Sequence, residues 1–194
     1  MFPLDKLRVP RIDLGFVISA TAVSASDTFQ RIKDTINTII DEYGVASRLR
    51  YGLVVFGREA VLKLSFSEES ADVNSLKAKI TSTQRPVGEP NLQKVLEEAK
   101  KLFDSEVARP GVKKVLVVIT DKKSTSSQEN VKKALVPLEE QKVKIVPVAV
   151  GSSADPNELE RITSNRGYLI ETKRELDPDT TAEKIMVKVL KGTV

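Results

Sequence analysis

The run VLVVIT at positions 115–120 places six apolar or β-branched residues in a row and ends on Asp121, Lys122 and Lys123. A carboxylate closing a strand that reads as buried on both faces loses hydration, and neighbouring positive charge offsets the cost of keeping it ionised. Lys122 and Lys123 can supply that charge, or they can form a solvated turn before a helix. Ser19 and Thr21 follow another apolar run. Their hydroxyls either face a ligand or satisfy loop backbone groups. Glu89, beside Pro90, can pair with Lys122 or Lys123 across a shared mouth, or stand as a plain exposed side chain, since surface pairs contribute little. Other chemistry is excluded. The chain has no cysteine and no histidine, which removes a thiolate nucleophile, most catalytic triads and zinc sites of the usual type. It has no G-x-S-x-G elbow and no phosphate-binding glycine loop, and no acid/base carboxylate pair converges on the mouth. The expectation is a protein with no catalytic residues and no cofactor.

The elements that must position these residues alternate in kind. RIDLGFVISA reads as a strand, and DTFQRIKDTINTIIDEYG repeats Phe29, Ile32, Ile36, Ile39 and Ile40 at helical spacing before Gly44 ends it. LRYGLVVFG and AVLKLSF are strands joined by a tight turn at Gly57, which predicts an antiparallel hairpin. Helical patterns follow in SADVNSLKAKITS and NLQKVLEEAKKLF, then the strand ending at Asp121, a helix in SSQENVKKALVPLEEQ, and the strand KIVPVAVG. A helix DPNELERITS, a short strand GYLIET and a helix DTTAEKIMVKVLK complete the order β, α, β, β, α, α, β, α, β, α, β, α. Continuous apolar strands separated by helices predict a doubly wound, mainly parallel α/β sheet of six strands, with one antiparallel edge strand and helices on both faces. Ligand crevices in such sheets lie beyond the carboxyl ends of the strands, where strand order reverses. Three loops converge there: SATAV, VGEPNL and TDKKS.

At 194 residues with no evident linker or repeat, the chain predicts a single domain, 1–194, with its core at about 12–190. No apolar run approaches membrane-spanning length, and the opening MFPLDKLRVP lacks the apolar segment of a signal peptide, so a soluble chain is expected. The net charge is +4 on 31 basic and 27 acidic residues, and only 5% are aromatic, which argues against nucleic acid as a partner. The pairs Lys100/Lys101, Lys113/Lys114 and Lys132/Lys133 suggest a basic surface for an acidic polymer, but LEEAKK and LEEQK mix both signs along their helices, as ordinary solubility faces do. No N-x-S or N-x-T acceptor for N-glycosylation occurs.

IDLGFVIS, RYGLVVFG, NLQKVLEEAKKLF, KKVLVVITD, VKIVPVAVG and NELERITS together resemble the von Willebrand factor type A domain, the integrin inserted-type domain, from about Ile12 to about Leu190. The resemblance implies a Rossmann-like fold. In adhesive members of that family a metal-ion-dependent adhesion site reads Asp-x-Ser-x-Ser after the first strand, a Thr in the facing loop and an Asp after the fourth strand. On this sequence those positions are Ser19, Thr21, Val23, Pro90 and Asp121, with Lys122 after the aspartate. Mg²⁺ needs six oxygens, and only Asp121 keeps its carboxylate, so a degenerate site with no metal ligands is expected. The resemblance implies a protein-binding module of a larger, secreted adhesive or extracellular-matrix protein. Its partners would be matrix components such as collagen, with Lys122, Lys123 and Glu89 as candidate contacts and no membrane insertion. The alternatives are a structural module that self-associates within a fibrous matrix, and an intracellular A-type domain in a multiprotein complex.

Overall fold

The structure, a computed structural model, describes residues 10–21, 25–44, 48–66, 72–104, 108–163, 165–172 and 175–191. Strand β1 (Ile12–Ser19) is followed by α1 (Ala25–Tyr43), β2 (Leu49–Phe56), β3 (Ala60–Leu64), α2 (Val73–Ser82) and α3 (Leu92–Lys100). Then come β4 (Lys113–Thr120), α4 (Gln128–Glu140), β5 (Lys144–Val150), α5 (Pro156–Glu160), β6 (Ile170–Thr172) and α6 (Pro178–Leu190). The six strands form one sheet in the order β3-β2-β1-β4-β5-β6. All neighbours are parallel except β2 and β3, whose antiparallel pairing contains an irregularity between Leu53 and Val54. The predicted order of elements and the hairpin are both present.

The sheet is covered on both faces, and alternation along each strand decides which face a side chain serves. Val115, Val117 and Ile119 of β4 join Leu14, Phe16 and Ile18 of β1 in a core against α1 and α6. Leu116 and Val118 point the other way, toward Val95 and Leu96 of α3 and Val131 and Leu135 of α4. This is why the central strands read as unbroken apolar runs: neither face meets water. Gly15 and Gly52 stand opposite each other on β1 and β2. A Cβ at Gly52 would lie 2.9 Å from Leu102 Cδ2, so the missing side chains let Leu102 and Phe103 press onto the sheet.

One detail departs from the sequence-based expectation. The helix predicted from Asp155 to Ser164 stops at Glu160, and the Thr163 hydroxyl then donates to the Ile145 carbonyl at 3.0 Å, tying the turn to β5. Asp13, inside β1, is fully buried although it is charged. It accepts hydrogen bonds from Arg50 Nε at 3.1 Å, Arg109 N–H at 2.9 Å and Arg109 Nε at 2.9 Å, so two guanidiniums share its charge. Both arginines keep part of their side chains in water, which lowers the cost of burying the carboxylate.

Candidate functional site at the carboxyl end of the sheet

Chain order reverses between β1 and β4: β1 leads to β2 on one side and β4 leads to β5 on the other. Ser19 and Thr120 stand side by side in the parallel register, so the two strands deliver their following loops to one place. There the Thr21 N–H donates to Asp121 Oδ1 at 3.0 Å, a bond across 100 residues of sequence. Asp121 is buried and Ser19 fully so. The hydroxyls of Ser19 and Thr21 are buried with no hydrogen-bond partner among the described residues. Val23 lies outside the described residues. Arg85 Nε donates to the Ala20 carbonyl at 3.0 Å and fastens the first loop from the outside.

The two lysines after Asp121 turn away from it. The Thr120 hydroxyl donates to the Lys122 carbonyl at 3.0 Å in a tight turn. Lys122 Nζ then reaches Glu89 at 2.7 Å, and Lys123 Nζ reaches Asp155 Oδ2 at 3.0 Å. Glu89 is thus paired with Lys122 rather than standing as a plain exposed side chain. The ammoniums tie the loop after β4 to the loop before α3 on one side and to the start of α5 on the other. Lys123 adds a backbone bond to the Ser153 carbonyl at 2.9 Å. The Lys123 contact and the α5 backbone hold the Asp155 carboxyl below the usual carboxylate range, its side-chain hydrogen bond with Lys123 contributing most. Burial pushes the neighbouring Glu158 up, partly opposed by the Ser124 N–H that donates to it at 2.9 Å.

Sequence reasoning passed over Ser124 and Ser126. Leu92 N–H donates to Ser124 Oγ at 2.9 Å, Gln93 N–H to Ser126 Oγ at 3.0 Å, and Lys94 N–H to Asn91 Oδ1 at 2.9 Å. The first three orphan donors of α3 are thus taken by side chains, two of them from a loop more than thirty residues away. Pro90 contributes its carbonyl, which accepts from Thr125 N–H at 3.0 Å. Asn91 before an apolar-periodic run was a readable cap. The serines were legible only as a polar turn.

A hard dication of the Mg²⁺ kind demands near-octahedral oxygen ligation and usually draws one or two carboxylates. The side chains here offer the carboxylate of Asp121, whose Oδ1 already accepts from Thr21, and the neutral hydroxyls of Ser19 and Thr21. Pro90 has no side-chain oxygen and its carbonyl is engaged by Thr125. This donor set offers a single carboxylate, at the low end of what such an ion draws. Among the described residues no group of three or more carboxylates is placed to hold a metal, and no helix is long and apolar enough to cross a membrane.

Comparison with known proteins agrees with this geometry at the level of fold. The chain is 26% identical over 162 residues to the mouse collagen alpha-6(VI) chain, a match that covers 80% of this chain and 7% of that protein. Its fold superposes on proximal thread matrix protein 1 from the mussel byssus, a structure described with a zinc-occupied metal-ion-dependent adhesion motif. The TM-score is 0.80 at 22% identity, over 93% of this chain and 46% of that one. It also superposes on the manganese-loaded TRAP protein of Plasmodium vivax, with a TM-score of 0.74 at 15% identity over 92% of this chain and 73% of that one. The chain therefore spans a small part of the collagen chain and about half of the byssus protein. Type A domains are generally interaction modules, not enzymes. The von Willebrand factor type A domain family matches residues 13–182, from the second residue of β1 through β6 to the start of α6, and the chain belongs to that family.

Proposed function

We propose that this chain is a protein-binding module of an adhesive or extracellular-matrix protein, and that it engages a matrix component such as collagen without a functional metal-ion-dependent adhesion site. The observation that carries this reading is the state of Asp121: one carboxylate, already accepting from the Thr21 backbone, beside two hydroxyls with no charge to organise them. Ser19 and Thr21 keep the place of donors, while Val23 and Pro90 supply no side-chain oxygen. Binding then falls to what surrounds the mouth, the Lys122–Glu89 and Lys123–Asp155 pairs. Exposed pairs of that kind are held weakly and can be exchanged for a partner's charges. The matrix names of the collagen and byssus relatives support the partner class and a secreted location.

The test is retention on immobilised collagen with chelator and with about 1 mM Mg²⁺ or Mn²⁺, alongside thermal melting in the same buffers. A ligand specific to the native state raises stability once its concentration passes its dissociation constant. The expected result is equal retention and superimposable melting curves, with Lys122→Ala/Lys123→Ala binding more weakly and with a flatter salt dependence. Retention or a melting shift that appears only with metal and disappears in Asp121→Ala overturns the metal-independent reading. Absence of retention in every buffer removes collagen as the partner.

A further inference from the structure

At the opposite end of the sheet, where β4 and β5 begin, four lysines from three elements meet. Lys113 opens β4, Lys144 opens β5, and Lys188 and Lys191 belong to the end of α6. Lys113 Nζ donates to the Val189 carbonyl at 2.8 Å and to the Lys191 carbonyl at 3.3 Å. Lys144 Nζ donates to the same Lys191 carbonyl at 2.9 Å and to that of Lys188, and it lies 4.0 Å from the centre of the Tyr168 ring. Two ammoniums therefore share one carbonyl oxygen, with two further lysines on the helix that provides it.

Capping α6 does not account for this much charge. A helix C-terminus carries about half a negative elementary charge, which one cation satisfies; four leave roughly 3.5 positive charges uncompensated. Among the described residues no carboxylate forms an ion pair with Lys113, Lys144, Lys188 or Lys191. The electrostatics record the crowding. Burial first, then Lys113, Lys191 and Lys188, push the Lys144 ammonium down to about 8, and burial also lowers Lys113. Charge gathered against its own repulsion, with no ion-paired acid among the described residues, is complementary to an anion from outside.

We infer that this pole, built from Lys113, Lys144, Lys188 and Lys191, is a binding surface for a linear sulfated polysaccharide. The surface is separate from the mouth around Asp121, and the inference stands without the proposed function. Several features favour this class over other polyanions. Single-stranded nucleic acid wants aromatic platforms, but the one aromatic ring found with the lysines, Tyr168, is already covered by Lys144. A lipid surface wants an apolar face beside the cations, and Val187 is the single large exposed apolar residue of α6. An acidic peptide wants a groove for anchoring side chains, and two grooves among the described residues lie elsewhere, one at 84–88 beside the β2–β3 turn and one between α4 and α5. A polymer bearing a charge every few ångströms needs only a row of cations.

The experiment measures binding of the whole chain to immobilised heparin between about 50 and 300 mM NaCl, a range over which polyanion affinity falls steeply. Lys188→Gln/Lys191→Gln is compared with the control Lys132→Gln/Lys133→Gln, which removes the same charge from exposed positions of α4. Neither Lys188 nor Lys191 donates a side-chain hydrogen bond among the described residues, so melting temperature should hold. The expected result is tenfold or greater loss of affinity in the α6 variant. The slope of log affinity against log salt should also shallow by roughly 1.4, at about 0.7 per phosphate-type contact in a single-stranded polyanion. The control should stay within about twofold. The inference is overturned if the native chain does not bind heparin at about 50 mM salt, or if both variants lose affinity equally. It is equally overturned if single-stranded DNA or phosphatidylserine vesicles bind more tightly than heparin.

Discussion

Both ends of the sheet carry lysines and treat them differently. At the carboxyl end, Lys122 and Lys123 each find a carboxylate on a neighbouring loop, Glu89 and Asp155. At the amino end, Lys113 and Lys144 find main-chain carbonyls at the end of α6, and Lys144 also the Tyr168 ring. Loops can supply a partner because their acids sit on short, adjustable connections. A strand start packed against a helix end presents whatever the backbone leaves there, which is a row of unpaired carbonyls. Dipoles then stand in for charges, and net positive charge accumulates. The upper end is neutralised pair by pair, and the lower end is left with net positive charge.

The strongest way to break this contrast is at Asp13, the one buried carboxylate near the lower end, which answers to Arg50 and Arg109. Asp13→Ala leaves two guanidiniums facing a dry strand, and removing one partner of a buried pair costs about 3–5 kcal/mol. Because both arginines are partly exposed, the lower part of that range is expected, read as a lowered midpoint of urea unfolding with unchanged slope. A loss below about 1 kcal/mol would show that water reaches the arginines freely enough to replace Asp13.

Next in size are the distant caps of α3. Ser124→Ala and Ser126→Ala each remove an oxygen that accepts from the first turn, and loss of a helix cap costs about 0.5–2 kcal/mol. Their serines also bond each other at 3.0 Å, so the double variant should lose less than the sum of the singles. Strict additivity would mean that the two caps act independently.

The smallest effect sharpens the lower end. The folded pKa of Lys144 is pushed down to about 8 from an ordinary 10.5, so between those values the unfolded chain binds more protons there than the folded one. Stability from this group is therefore gained as pH rises from about 7 through 8 toward 10 and lost as pH falls through about 8. Melting temperatures of the native chain should rise more, or fall less, between pH 7 and 9.5 than those of Lys144→Gln. Parallel curves for the two proteins would show that neither burial nor its three neighbours lowers Lys144.

The order of elements was written in the sequence because helix and strand periodicity record local burial. The isoleucines of α1 and the unbroken run of β4 mean what they seem to mean wherever one or both faces are covered. The position of Asp121 at a strand end, and the meeting of its loop with that of Ser19 and Thr21, follow from the same reading once the sheet is doubly wound. Side-chain partners were not written there. Lys122 chose Glu89 over Asp121, Ser124 and Ser126 capped a helix that begins more than thirty residues before them, and Lys113, Lys144, Lys188 and Lys191 met from positions up to 78 residues apart. Periodicity depends on which face of an element is buried, a property each segment carries with it. A hydrogen bond or an ion pair depends on a few ångströms between segments, and only the packed sheet and its helices fix that distance.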